Sequence, residues 1–206
     1  SIRRRYPYIV QDPDADLAIF SRFPAKLVKS ESASSWMKVY DLYELQVYGR
    51  RLSIINVHLA SYMLTGNERK VVTDIHGVRS ARNSVREFKG SIIGKLKESF
   101  RARAKDAKVV RNAVNSVTGP LIVCGDFNDV PSSWAYRVIC GKDLHDAYRE
   151  TGLGMMVTYN LHGFYFHIDQ VLYRGPLRAL SVEKGDIDSS DHFPLLARFS
   201  FTSGAE

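Results

Sequence analysis

Cysteine is scarce in this chain: there are two in 206 residues, Cys124 and Cys140. Two cysteines cannot build a disulfide framework, and these do not form a Cys-x-x-Cys pair, so a disulfide-stapled scaffold is excluded. They read as two buried thiols in a reducing compartment. Long apolar runs are missing as well. No stretch of about 18 apolar residues occurs, so no membrane-spanning helix is expected. The basic start Ser1-Ile2-Arg3-Arg4-Arg5 has no apolar segment behind it and is not a signal peptide. A cytoplasmic or cytoplasm-facing location is therefore expected. The chain opens on Ser1 without Met, as a processed or shortened chain would. Internal repeats and low-complexity linkers are absent. The remaining composition, 45% hydrophobic, 25% charged and 11% aromatic, excludes disordered, collagen-like and coiled-coil classes. Residues 1–206 fit one domain large enough to bury a full core.

The charge is not spread evenly. Lys and Arg number 29 against 22 Asp and Glu, a net charge of +7 that points to an anionic partner without identifying one. Between Gly66 and Asn115 there are 13 basic and five acidic residues, a local net charge of +8, so the rest of the chain is close to neutral. The same stretch reads as helix over 66–117. Val85, Phe88, Ile92, Leu96 and Phe100 recur at spacings of three and four, and Val110, Ala113, Val114 and Val117 continue the pattern. Gly90, Gly94 and the polar run at 103–108 predict two helices rather than one. A basic helix face is ordinarily a solvated surface; contact with nucleic acid or lipid is the alternative.

Apolar runs of strand length supply the rest. Leu17–Ser21 reads as a buried strand ended near Pro24. Val39–Tyr48 and Leu52–Leu59 read as a hairpin turning at Gly49-Arg50-Arg51. Leu121–Gly125 is continuously apolar, as in a strand buried on both faces. Ser132–Cys140 reads as a short helix capped by Ser132 or Ser133. Phe166–Tyr173, Leu177–Glu183 and Leu195–Phe201 read as the last strands. Hairpins mixed with crossovers predict a mixed-sheet α/β sandwich, not a Rossmann fold.

Polar residues gather where these strands end. His58 closes the hairpin, Asp126 and Asn128 follow the 121–125 strand, Asp169 lies in the 166–173 strand, and Asp191 and His192 precede the last one. An isolated Asp after a strand is ordinarily a turn former or a cap. Three carboxylates, an amide and two imidazoles at strand ends suit a different task. Hard oxygen donors bind Mg²⁺ or Mn²⁺, which neutralises a phosphoryl group and acidifies water. A His–Asp pair protonates or polarises oxygens around phosphorus.

Asn56-Val57-His58-Leu59, Gly125-Asp126-Phe127-Asn128-Asp129-Val130-Pro131, Ile168-Asp169-Gln170-Val171-Leu172 and Ser190-Asp191-His192-Phe193-Pro194 resemble successive motifs of the endonuclease/exonuclease/phosphatase, or deoxyribonuclease-I-like, superfamily. Ile19-Phe20-Ser21-Arg22-Phe23-Pro24 resembles its early element, and Leu144–Tyr148 and Thr158-Tyr159 resemble the stretch between its third and fourth motifs, so the likeness runs along almost the whole chain. The resemblance implies a mixed two-sheet sandwich with outer helices, four layers in all, and metal-dependent phosphoester cleavage with Mg²⁺ or Mn²⁺ as cofactor. By motif match, Asp126 orients or deprotonates the attacking water, and Asn128 holds that water and a phosphate oxygen. His192, steadied by Asp169, stabilises charge at phosphorus. Asp191 joins Asp126 and Asn128 at the metal, His58 contacts phosphate or assists the leaving group, and Arg22 is a phosphate contact.

Two departures qualify what the resemblance implies. The family's early Asn and its Gln-Glu element have no counterpart here, because neither Gln11-Asp12 nor Glu31 follows a suitable apolar strand. The domain is therefore expected to be N-terminally shortened, with weak metal affinity and weak or no activity. Second, His167 stands where related sequences often have Arg. The expected function is phosphoester hydrolysis, of nucleic acid or of a small phosphoester. The alternative is a non-catalytic protein that grips an anion or nucleic acid on the same scaffold.

Overall fold

The structure is a computed structural model that describes residues 2–11, 16–33, 37–62, 82–161 and 164–202, without the side chains of 82–92, 161 and 164. Its elements run α1 (Ile2–Arg5), β1 (Tyr8–Gln11), β2 (Ala18–Ser21), β3 (Ala25–Ser32), β4 (Lys38–Val47), β5 (Arg50–His58), α2 (Arg82–Ser116), β6 (Leu121–Asp126), α3 (Trp134–Cys140), β7 (His145–Asp146), α4 (Ala147–Thr151), β8 (Tyr159–Leu161), β9 (Phe164–Phe166), β10 (Asp169–Arg174), β11 (Leu177–Lys184) and β12 (Leu195–Phe201).

Six strands form the main sheet in the order β3-β4-β5-β6-β10-β7, and β1-β2, β8-β9 and β11-β12 form two-stranded sheets. Only β5 and β6 run parallel in the main sheet, and the crossover between them contains α2. Strand alternation sorts the apolar side chains onto two faces. Ile55, Val57, Leu121 and Val123 pack with Ala107, Val110, Ala113 and Val114 of α2 and with Ala135 and Ile139 of α3. Leu52, Ile54 and Ile122 pack on the other face with Leu177, Ala179 and Val182 of β11 and with β12. The sheet is thus covered by helices on one side and by the β11–β12 pair on the other, the mixed α/β sandwich predicted from the sequence. The continuous apolar run at 121–125 follows from this double burial.

Three local readings are corrected. From Arg82 to Ser116 the chain is one helix of 35 residues, not two. Gly90 and Gly94 lie inside it, and a mid-helix glycine costs about 1 kcal/mol against alanine. The polar run at 103–108 does not break it, because Arg103 and Asp106 turn inward to bonded partners. Residues 66–81 of the predicted basic segment lie outside the described residues. The hairpin turns one residue earlier than expected, on Tyr48 and Gly49 (φ 51° and 78°), the left-handed pair that a two-residue turn between twisted strands needs. The strand predicted over 166–173 is interrupted at His167 and Ile168. Its parts are β9, paired with β8, and β10, in the main sheet.

Both cysteines are free and half-buried, and burial pushes the Cys124 thiol up to about 11. Among the described residues, no helix is long and apolar enough to cross a membrane.

Candidate active site

Strand register builds the site. In the parallel β5–β6 pair His58 lies opposite Asp126, and in the antiparallel β6–β10 pair Asp126 lies opposite Asp169. One row across three neighbouring strands therefore carries His58, Asp126 and Asp169. The row sits at the carboxyl ends of β5 and β6, where open α/β sheets place ligands.

Asp126 is the middle of the row and is held by the loop that follows it. The Asn128 backbone N–H donates to Asp126 Oδ1 at 2.7 Å, and Asn128 Nδ2 donates to Asp126 Oδ2 and to the Leu59 carbonyl, both at 2.9 Å. Asn128 makes these bonds at φ 49°, a left-handed backbone that asparagine tolerates better than most side chains. Just before Asp126, Gly125 has φ +132° and passes so close to β5 that an added Cβ would lie 2.1 Å from the Val57 carbonyl oxygen. The glycine of Gly-Asp-Phe-Asn is thus a condition of the β5–β6 contact.

Two imidazoles face Asp126 Oδ2: His58 Nε2 and His192 Nε2 each lie 3.9 Å from it. Each ring is held from behind by a carboxylate. His192 Nδ1 is 2.9 Å from Asp169 Oδ2, and His58 Nδ1 is 2.5 Å from Asp16 Oδ2. His192 is anchored further by a bridge to Tyr159, whose ring meets the imidazole edge-on at 4.9 Å between centroids. Thr158 fixes the opposite side, its Oγ1 accepting from the Ile168 and Asp169 backbone N–H groups at 3.0 Å each. The bond to Asp169 is the main cause that pushes the His192 imidazole up, working against burial. Burial first, then the Asp169 charge, pushes the Asp126 carboxyl up to about 6.

The structure thus brings together five residues singled out in the sequence: His58, Asp126, Asn128, Asp169 and His192. The two others lie apart from this cluster. Asp191 is exposed and outside the close group of ligand atoms, and its carbonyl accepts from Asn160 N–H at 2.8 Å. Arg22 is exposed, with its guanidinium 5.8 Å over the Tyr6 ring. His167 is half-buried, its ring edge-on to Tyr148, and burial pushes its pKa down. Sequence reasoning missed Asp16. It precedes the β2 strand by two residues and lies 42 positions from His58, so no local spacing links the two. Its only signal is an ionisable group against an apolar strand start.

Ligand atoms of Asp126, Asp169 and His192 all lie within 4.8 Å of one another. Carboxylate oxygens are the donors that small hard divalent cations take, and such ions bind through one or two carboxylates plus water and substrate phosphate. The donor set at Asp126 fits that pattern, since Asp169 and both imidazoles are already paired behind it.

The architecture is that of the deoxyribonuclease-I-like sandwich proteins. The catalytic domain of human nocturnin aligns over 90% of this chain and 63% of its own length, at 22% identity and a TM-score of 0.50. A mannosyl-6-phosphatase of Bacteroides thetaiotaomicron aligns over 89% of this chain and 70% of its own, at 16% identity and a TM-score of 0.54. Staphylococcus aureus beta toxin, a double mutant with bound magnesium ions, aligns over 98% and 79%, at 14% identity and a TM-score of 0.57. The chain spans less than two thirds of the nocturnin domain. No curated protein sequence matches it. The sequence profile of the endonuclease/exonuclease/phosphatase family matches residues 3–192, and the chain belongs to that family.

Proposed function

We propose that the protein is a divalent-metal-dependent phosphoester hydrolase. The observation that carries this reading is the pair of carboxylate-backed imidazoles whose Nε2 atoms both face one carboxylate oxygen, Asp126 Oδ2, at 3.9 Å. The space between them suits a phosphoryl oxygen or a water, with an imidazole nitrogen on two sides.

Each residue then has a task. Asp169 fixes His192 so that Nε2 points into the site, where its proton meets charge developing on phosphorus. Asp16 does the same for His58, which is placed to protonate a leaving oxygen. Asp126 orients the attacking water and accepts its proton, while Asn128 keeps the carboxylate from rotating. Asp126 and Asn128 would hold Mg²⁺ or Mn²⁺, with the exposed Asp191 outside that group. When bound, the ion supplies charge neutralisation at the phosphoryl group.

The test is hydrolysis of bis(4-nitrophenyl) phosphate with Mg²⁺ or Mn²⁺, with and without EDTA. Activity abolished by EDTA and by His192→Ala is expected; turnover indifferent to both overturns the reading. The Asp16–His58 pairing has its own measurement. Asp16→Asn should lower kcat by about 10²-fold. Adding it to His58→Ala should lower kcat little further, because coupled residues are non-additive. Full additivity would remove Asp16 from the machinery.

Lys97, Arg101, Lys105 and Lys108 are exposed along α2 and favour a polyanionic substrate. Binding of single-stranded DNA should then weaken with salt at a slope of about −0.7 per phosphate contacted. Lys97→Ala with Arg101→Ala should flatten that slope. A flat response in the unmutated protein points to a small phosphoester. A steep slope with no turnover points to the non-catalytic anion binder.

A further inference from the structure

We propose that Arg103 is a positioning residue that sets the relative placement of the loop that follows His58 and the loop that carries Asn128; this rests on the hydrolase reading. Arg103 belongs to the basic stretch by sequence, yet its side chain is 1% exposed, so it is not a cation offered to a polyanion. A buried guanidinium is expensive to desolvate, and an apolar residue of similar volume commonly serves stability as well. The reason for an arginine lies in what its planar fork holds.

Its Nε donates to Asp129 Oδ2 at 3.2 Å, and its Nη1 donates to the Ala60 carbonyl at 2.9 Å. Asp129 is the residue after Asn128, and Ala60 is the second after His58. One rigid group therefore bridges the exits of β5 and β6. Its guanidinium carbon lies over the Tyr62 ring, 4.0 Å from the centroid, a cation–π contact that holds the fork in place. One turn further along α2, Asp106 accepts from the Ala60 backbone N–H at 3.1 Å, so the helix grips both backbone polar groups of that residue. The two loops are also tied directly, by Leu59 N–H to the Asp126 carbonyl at 3.0 Å and by Asn128 Nδ2 to the Leu59 carbonyl. Among the described residues, Arg103 Nη2 is buried without a partner. His58 and Asp126 are the last residues of their strands, directly before these two loops, so Arg103 acts on the gap between His58 Nε2 and Asp126 Oδ2 without touching the site.

Arg103→Lys keeps the charge but can reach only one of the two acceptors. It should lower kcat on bis(4-nitrophenyl) phosphate by at least about tenfold with KM within about twofold, since misplacement of about 1 Å costs that much or more. Independently of activity, amide exchange at Leu59, Ala60 and Asn128 should quicken by at least about tenfold relative to Ile55 and Val123 in the strands, because only local opening is affected. Unchanged kcat and unchanged exchange overturn the proposal. Exchange that quickens equally in the strands also overturns it, because that is general loss of stability. If Arg103→Lys does not fold, Asp129→Asn should give the same local exchange pattern, and its failure to do so counts as refutation. If the unmutated protein hydrolyses no phosphoester, the hydrolase reading fails, and the exchange pattern alone decides whether Arg103 holds the loops.

Discussion

Asp126→Asn is expected to lower phosphodiester hydrolysis by about 10³-fold or more and, at the same time, to raise the melting temperature of the metal-free protein. The first effect follows from losing the carboxylate that both imidazoles face. The second follows from its environment. Burial and the neighbouring Asp169 charge push the Asp126 carboxyl up to about 6 from 3.8. A carboxyl raised in the native state stabilises the fold where it is protonated. That contribution is whole below about pH 4 and gone once pH passes about 6. Above that the metal-free fold holds two carboxylates side by side, and the amide relieves it. His192 acts in the same direction in a higher window: its contribution is full below 6.5 and is lost as pH rises through its raised native value. The melting difference between variant and parent should therefore be near zero at low pH and grow to a few degrees near neutrality, at roughly 2–4 °C per kcal/mol. It should shrink when Mg²⁺ is added. Scanning calorimetry across that range checks it; a variant that melts lower than the parent at every pH would show that the Asn128 bonds outweigh the charge.

Gly125→Ala should be among the most damaging single changes in the protein, with a loss of at least about 3 kcal/mol. The added carbon would meet backbone on β5, at 2.1 Å from the Val57 carbonyl oxygen and 2.8 Å from its nitrogen, so no side chain can swing aside. Relief would require separating β5 from β6, and with them His58 from Asp126. Gly119→Ala provides the control. Gly119 also has positive φ, +87°, but no atom of the described residues beyond its chain neighbours lies within 4 Å of the added carbon. It should lose only the backbone term, about 1–2 kcal/mol. Urea midpoints of the two variants separate contact from strain; equal losses would mean that the approach to Val57 is not decisive.

Much of the site was legible because its residues follow strands. His58, Asp126 and Asn128 stand directly after apolar runs, and Asp169 begins one, so a reading of strand ends collects them without knowing how the strands pair. What pairing adds is adjacency, and adjacency is long-range. His58 and Asp16 meet across β2 and β5, and no periodicity encodes that. The helical segment misled for a related reason. Glycines and a polar run look like a break when each residue is scored alone, yet Arg103 and Asp106 are polar because they face loops inside the fold. Short β-pairs such as β8–β9 were invisible for want of length: three residues on each side give no alternation to read.

The parallel pairing of β5 and β6 has a consequence for how such a chain can diversify. Ser53 through His58 match Leu121 through Asp126 residue for residue, so the crossover between them needs only to return to the same start. Lengthening such a connection is inexpensive, since each doubling of a flexible loop costs only about 0.6 kcal/mol. A change in the crossover between the Ala60 anchor and the α2 turn that holds it therefore leaves the row of His58, Asp126 and Asp169 in register. The candidate row belongs to the strands, and of the crossover it is the part of α2 with Ala107, Val110, Ala113 and Val114 that the core holds in place.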